Sequence, residues 1–220
     1  MKRAAALAFA LLAACGHERK TPEGGARSEP YRVVALRAPG RLNGMITLAP
    51  PLRASDAIVW LSDVRSGKPL PLSRRYEIDH EGNALVPVTQ AVIAGGTLNV
   101  RNADDGPHRA RFTLAGGGAD SVLGTVTETG AGQVVPSQKL LFRPGLVVVT
   151  CDVHPATRGW IRVFDQPYFT QPDSNGRFAM DSVPAGRWTL RVWHPSLGES
   201  AREVTVDSAA LAFEDVRIPR

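Results

Sequence analysis

Leu146-Val147-Val148-Val149-Thr150-Cys151-Asp152-Val153-His154-Pro155 carries an apolar, β-branched run straight into a turn that holds a thiol and an imidazole three residues apart. Short valine-rich runs bounded by turn residues read as strands. Cys151 therefore ends a buried strand, and a tight turn stiffened by Pro155 returns His154 beside it before a strand over 160–164 leaves. A second imidazole, His108, stands in Asn102-Ala103-Asp104-Asp105-Gly106-Pro107-His108, one strand pair upstream.

Outward from that stretch the same texture continues. The 220 residues include 21 Gly and 17 Pro, which imply many turns, and the 43% apolar content excludes a disordered chain. No long stretch shows a helical period, so the reading is all-β. Strands are predicted over 31–36, 44–48 and 57–61, then over 85–88, 97–101, 109–114, 122–127, 139–142, 146–150 and 160–164, at the spacing of a sandwich. Pro39-Gly40 and Pro50-Pro51 separate the first three, and Ser66-Gly67-Lys68-Pro69 closes that block. In the last block, Asn175-Gly176 suits a tight hairpin that needs positive φ. Pro184-Ala185-Gly186 suits a turn that launches Trp188, Leu190 and Val192 inward.

Met1-Lys2-Arg3 followed by an uncharged apolar stretch to Ala14 is an export signal, since eleven apolar residues fall short of the roughly 20 that span a bilayer as a helix. Leu12-Ala13-Ala14-Cys15 resembles the bacterial lipobox, which implies lipidation of Cys15, a membrane anchor made of acyl chains and a place in the cell envelope. Gly16-His17 follows rather than an aspartate, which in lipoproteins of this class suggests the outer membrane, so the expected place is the cell envelope, as an outer-membrane lipoprotein or in the periplasm. Residues up to Pro30 are polar and rich in Gly and Pro, a flexible tether with a reach of roughly 20 Å. The expected organisation is a signal peptide at 1–14, lipidated Cys15 and tether at 15–30, a β segment at 31–70, a central domain at 75–165 and a β segment at 167–220.

The formal charge of +5 falls to +3 once Lys2 and Arg3 leave with the signal, and the arginines are dispersed along strands as in Arg187-Trp188-Thr189-Leu190-Arg191. Such a solvated face argues against nucleic-acid binding. With Cys15 acylated, Cys151 has no partner, so a structural disulfide is excluded. Either Cys151 is an inert buried cysteine, or its thiolate is a ligand. One thiolate with two imidazoles selects copper over calcium or magnesium and disfavours a closed four-ligand zinc site. No close carboxylate pair, serine nucleophile signature or phosphate-cradling glycine loop points to an enzyme.

Residues 97–112 joined with 145–163 resemble the cupredoxin family, most closely its amicyanin and plastocyanin-like branch linked to methylamine utilisation. The likeness rests on Gly95-Gly96-Thr97-Leu98-Asn99-Val100-Arg101-Asn102 leading to Pro107-His108, and on Cys151-x-x-His154-Pro155-x-x-Arg158-Gly159. It implies a Greek-key sandwich with one type 1 copper ion held by His108, Cys151 and His154, and Asn102, Arg109 and Pro155 beside them. Two departures stand out. Relatives carry an axial methionine where this chain has Thr157, which predicts a reduction potential that falls on Thr157→Met; and Arg109 stands where an asparagine usually ties the ligand loops together, leaving backbone amides or Asp104 for that task.

Residues 41–63 and 167–219 in turn resemble the two halves of a carboxypeptidase regulatory-like, transthyretin-type sandwich, through Asp173-Ser174-Asn175-Gly176-Arg177-Phe178 and Val183-Pro184-Ala185-Gly186 with Trp188 and Leu190. Of the other histidines, His17 falls in the tether, His80 in the polar turn Asp79-His80-Glu81-Gly82, and His194 at the edge of a strand; none is placed as a ligand. The functional expectation is a lipid-anchored blue-copper electron carrier whose partners are redox proteins such as a cytochrome or a dehydrogenase. A copper chaperone or store and a metal-free envelope scaffold are the alternatives.

Overall fold

The computed structural model describes residues 30–117 and 121–218; the signal at 1–14, Cys15 and the tether lie outside the described residues, apart from Pro30. The first strands in chain order are β1 (Arg32–Val33), β2 (Gly40–Thr47), β3 (Ile58–Ser62), β4 (Ser66–Gly67), β5 (Arg75–Glu81), β6 (Ala84–Val86), β7 (Thr89–Ile93), β8 (Thr97–Asn102) and β9 (His108–Leu114). They continue as β10 (Val122–Glu128), β11 (Val134–Ser137), β12 (Gly145–Cys151), β13 (Arg158–Phe164), β14 (Phe169–Thr170), β15 (Arg177–Val183), β16 (Gly186–His194), β17 (Gly198–Val206) and β18 (Leu211–Arg217). The all-β expectation holds. Among the described residues no helix is long and apolar enough to cross a membrane.

Two pairs of sheets face each other. In the central pair, a five-stranded sheet in the order β10-β9-β12-β13-β7 packs on a four-stranded sheet in the order β11-β8-β5-β6. Crossovers of Greek-key kind bring β9 beside β12 and set β7 parallel to β13. The shared core includes Ile78, Leu98, Val100, Phe112, Val126, Val147, Val149 and Ile161, inward members of alternating strands. The second pair, β14-β3-β16-β17 against β15-β2-β18, encloses Leu42, Ile46, Leu61, Phe178, Leu190 and Val216.

β3 shows how the two cores meet. Ile58, Val59, Trp60 and Leu61 are all buried, a run rather than an alternation, because both faces of this strand are covered. Val59 and Leu61 enter the flanking core, while Ile58 and Trp60 turn to Ile93, Phe164 and Trp193 in a third cluster. Arg162 lies over the Trp60 ring, 4.1 Å from its centroid.

Three expectations need correction. Residues 139–142 are not a strand: Lys139–Leu141 form a single 3-10 turn that buries Leu140 and Leu141, since a short apolar run can bury its side chains in either geometry. Asn175-Gly176 does form a turn, with Gly176 at φ +83° and the Asp173 carboxylate accepting from the amides of Asn175 and Arg177. It is no hairpin between sheet neighbours, however, because β15 leaves it to pair with β2. Lastly, His80 is not in a turn but on β5, paired in register with Asn102 of β8.

Candidate metal centre

Period-two alternation decides what the strands deliver to one end of the central sandwich. On β12 the inward positions are Val147, Val149 and Cys151; on β9 they are His108, Ala110 and Phe112. Because β9 and β12 are antiparallel, with Cys151 opposite Ala110, the first inward residue of one and the last of the other share that end. The same parity places His80 at the end of β5, Asn102 at the end of β8 and Glu128 at the end of β10, opposite His108. All five are sealed from solvent: His80, Asn102 and Glu128 are 0% exposed, His108 1% and Cys151 3%. An apolar core therefore ends in a layer of polar side chains.

Within that layer the Cys151 Sγ lies 4.0 Å from His108 Nδ1 and 3.7 Å from His154 Nδ1. An ion with bonds of about 2.1 Å to nitrogen and 2.3 Å to sulfur, at trigonal angles, separates those donors by about 3.8 Å. The spacing fits. Donor chemistry fits as well, since the His108 Nε2–H donates to Asp104 Oδ1 at 2.8 Å, leaving the Nδ1 lone pair on the side of the thiol. His154 is half-buried on the turn after β12, its ring 4.8 Å from that of His108 and tilted by 46°.

Asp104 organises the loop before β9. Its carboxylate accepts from the amides of Gly82 and Gly106 in addition to His108, and the Asn102 side chain accepts from the Asp104 amide while donating to the Gly106 carbonyl. The hydrogen bond from His108, followed by those two amides, holds the Asp104 carboxyl below the usual carboxylate range. Arg109 points the other way, exposed, with Nε 3.5 Å from Asp152. Asp152 is held low by hydrogen bonding from Arg111 first, then by the charges of Arg111 and Arg109. Of the two candidates for tying the ligand loops, backbone amides or Asp104, the carboxylate of Asp104 ties its own loop to the Gly82 turn and to His108, and the link across to the Cys151 turn is a backbone one, the Asp152 amide donating to the Arg109 carbonyl at 2.9 Å.

Pro155 is exposed on the ligand turn. Thr157 is fully buried on the same turn, its amide donating to the His154 carbonyl, and its Oγ1 has no hydrogen-bond partner among the described residues. His194 lies elsewhere, at the end of β16 in the flanking sandwich, its Nδ1 accepting from the Ser196 amide.

Two residues that sequence reasoning passed over complete the layer. His80 stacks on His108, ring centroids 4.4 Å apart and planes within 5°, and its Nδ1 lies 2.5 Å from Glu128 Oε2. One ligand-capable atom from each of His80, His108 and Cys151 can be chosen so that all three lie within 4.8 Å of one another, a buried group able to hold a metal ion. The available signal was parity: Ile78 then His80, and Val126 then Glu128, each continue an inward row by two.

No protein-family model and no curated protein sequence matches the chain. Solved structures similar to part of it include reduced auracyanin from Roseiflexus castenholzii, 16% identical, with TM-score 0.36, covering 43% of this chain and 99% of that one. Amicyanin from Paracoccus versutus is 21% identical, with TM-score 0.34 and coverage of 43% and 85%. A purple cupredoxin from Nitrosopumilus maritimus is 17% identical, with TM-score 0.33 and coverage of 40% and 99%. Each likeness takes in less than half of the chain, and the chemistry rests on the side chains themselves.

Proposed function

We propose that this chain is a lipid-anchored, envelope-facing electron carrier in which His108, Cys151 and His154 hold one copper ion. The observation that carries the reading is a buried thiol with two imidazole Nδ1 atoms at 3.7 and 4.0 Å. Copper, when bound, supplies a one-electron couple, reduced by one redox protein and oxidised by another, a cytochrome or a dehydrogenase. The chain's own part is to hold a soft thiolate and two imidazoles in place beforehand, Cys151 and His108 on strand ends and His154 on the tight turn that follows β12. Asp104 orients His108, and half-buried His154, flanked by exposed Val153, Pro155 and Ala156, is the edge through which a docked partner is reached. Thr157, at the position of the axial ligand, offers a hydroxyl that is a poor donor to soft copper.

Anchoring rests on Leu12-Ala13-Ala14-Cys15, with acyl chains on Cys15 in place of a transmembrane helix. The segments 31–70 and 167–220 form a supporting unit of carboxypeptidase regulatory-like type around the copper-binding residues 75–165.

Adding Cu(II) to the purified full-length chain tests the reading by visible absorption and electron paramagnetic resonance. An intense thiolate-to-copper band that disappears in Cys151→Ser is the expected result. Colourless but tight Cu(I) uptake would replace electron transfer by copper handling, and zinc preference or no uptake would remove the copper reading.

A further inference from the structure

Resting on that copper reading, we infer that His80, clamped by Glu128, is a positioning residue: its ring, stacked on His108, fixes the plane of the His108 imidazole and so the direction in which the Nδ1 lone pair points. The two ring centroids lie 4.4 Å apart with planes within 5°. His108 bonds to Asp104 through Nε2, at the far end of the ring and close to the line about which the ring turns on its bond to Cβ; Nδ1 stands farther from that line. That torsion, χ2 of a histidine, is soft and has broad wells. Asp104 therefore anchors the far end of the ring, while a rocking motion about the same line still swings the Nδ1 lone pair away from the thiol. A flat surface against the ring face opposes that motion directly.

The His80 ring is itself held in place. Its Nδ1 lies 2.5 Å from Glu128 Oε2, and both side chains are 0% exposed. The His80 carbonyl accepts from the Ala103 amide at 2.8 Å and the Gly82 amide donates to Asp104, so the end of β5 is latched to the loop that orients His108. Glu128 stands on β10 opposite His108 of β9, while His80 belongs to the facing sheet, so the carboxyl contact and the stack together join the two sheets across the polar layer. Packing alone does not ask for such a pair, because two apolar side chains of the same shape would fill the site at little or no loss of stability. An aliphatic side chain, however, offers no flat face to set the plane of a neighbouring ring. Support of this kind, given by packed strands to a ligand, holds a site in its working geometry before it is filled.

Two double variants separate the stacked ring from the polar pair: His80→Phe with Glu128→Leu keeps a ring on His108, and His80→Leu with Glu128→Leu removes it. In the Cu(II)-loaded full-length chain, pulsed electron paramagnetic resonance with ¹⁵N-labelled histidine reads the spread of the ligand-nitrogen couplings. Narrow couplings are expected in the unmodified chain and with His80→Phe, and one broadened coupling with His80→Leu, together with copper release about 2–10-fold faster, the range set by the worth of one stacked pair. A role in packing alone would lower the melting temperature and leave the couplings unchanged. Equal couplings and equal release in the two double variants would overturn the inference and leave the copper reading intact. Nuclear magnetic resonance of the metal-free, ¹⁵N-histidine-labelled chain reads the rocking motion without copper: a rigid His108 ring is expected in the unmodified chain, and a mobile one would also overturn the inference. Should His80→Leu with Glu128→Leu fail to fold, that metal-free measurement decides alone. Absence of any thiolate band in the copper-treated unmodified chain removes both readings.

Discussion

The His80–Glu128 pair sets a stability experiment that needs no metal. Both side chains are completely buried, and among the described residues Glu128 Oε1 lacks a partner, so Oε2 against His80 Nδ1 is the carboxyl group's one side-chain hydrogen bond there. His80→Phe keeps a ring of similar size on His108, which limits the cavity left behind, but strands the carboxyl. An unsatisfied buried neutral group costs about 1–3 kcal/mol and a stranded buried charge about 3–5 kcal/mol, so a loss of about 3 kcal/mol is expected. At about 2–4 °C per kcal/mol for a chain of this size, the melting temperature falls by about 6–12 °C. Glu128→Leu alone strands the imidazole and costs about 1–3 kcal/mol. The double variant removes both polar groups and should return to within about 1 kcal/mol of the parent, a coupling of at least about 3 kcal/mol. Urea unfolding of the chelator-treated chain, followed by far-ultraviolet circular dichroism, measures all four corners. Single variants that unfold with the parent, or a double variant as unstable as the sum of the two, would refute the buried pair.

Two other outcomes follow from the polar contacts of single residues. Asp104→Ala removes the acceptor of the His108 Nε2–H and two backbone amides, so Cu(II) retention measured by competition with a chelator should weaken by about 10–100-fold, whereas Arg109→Ala should leave it within about twofold. Burial, opposed by a backbone contact of Arg53 and the charge of Asp56, lowers the pKa of His194, so the unfolded chain takes up the proton first as pH falls. Stability therefore drops as pH passes down through about 6.5, and His194→Asn should flatten the loss between about pH 7.5 and 5.5 in urea titrations; an unaltered slope would contradict the assignment.

What the sequence disclosed depends on how far each feature is local. Alternation within strands is local, so the all-β class could be read directly, and Cys151 and His154 are close enough in the chain for one turn to account for their proximity. His80 and Glu128 stand 48 residues apart, each in a segment with polar side chains on both faces, such as Tyr76-Glu77-Ile78-Asp79-His80-Glu81. Parity says which way His80 faces; only the parallel pairing of β5 with β8 and the antiparallel pairing of β9 with β10 bring that face under His108 and opposite Glu128. Register between distant strands is set by the whole sheet, which is why it escaped a reading made one segment at a time. The energetic consequence runs the same way. A sandwich optimised for stability alone would finish its inward rows with apolar residues, as those of β5, β8, β9, β10 and β12 do everywhere except at this end. Among the described residues, His80 Nε2, Glu128 Oε1 and Thr157 Oγ1 have no hydrogen-bond partners there. A buried layer of donors with unmatched atoms, on otherwise regular strands, is where the fold gives up stability for function, and an ion that binds only the folded layer would restore part of it by mass action.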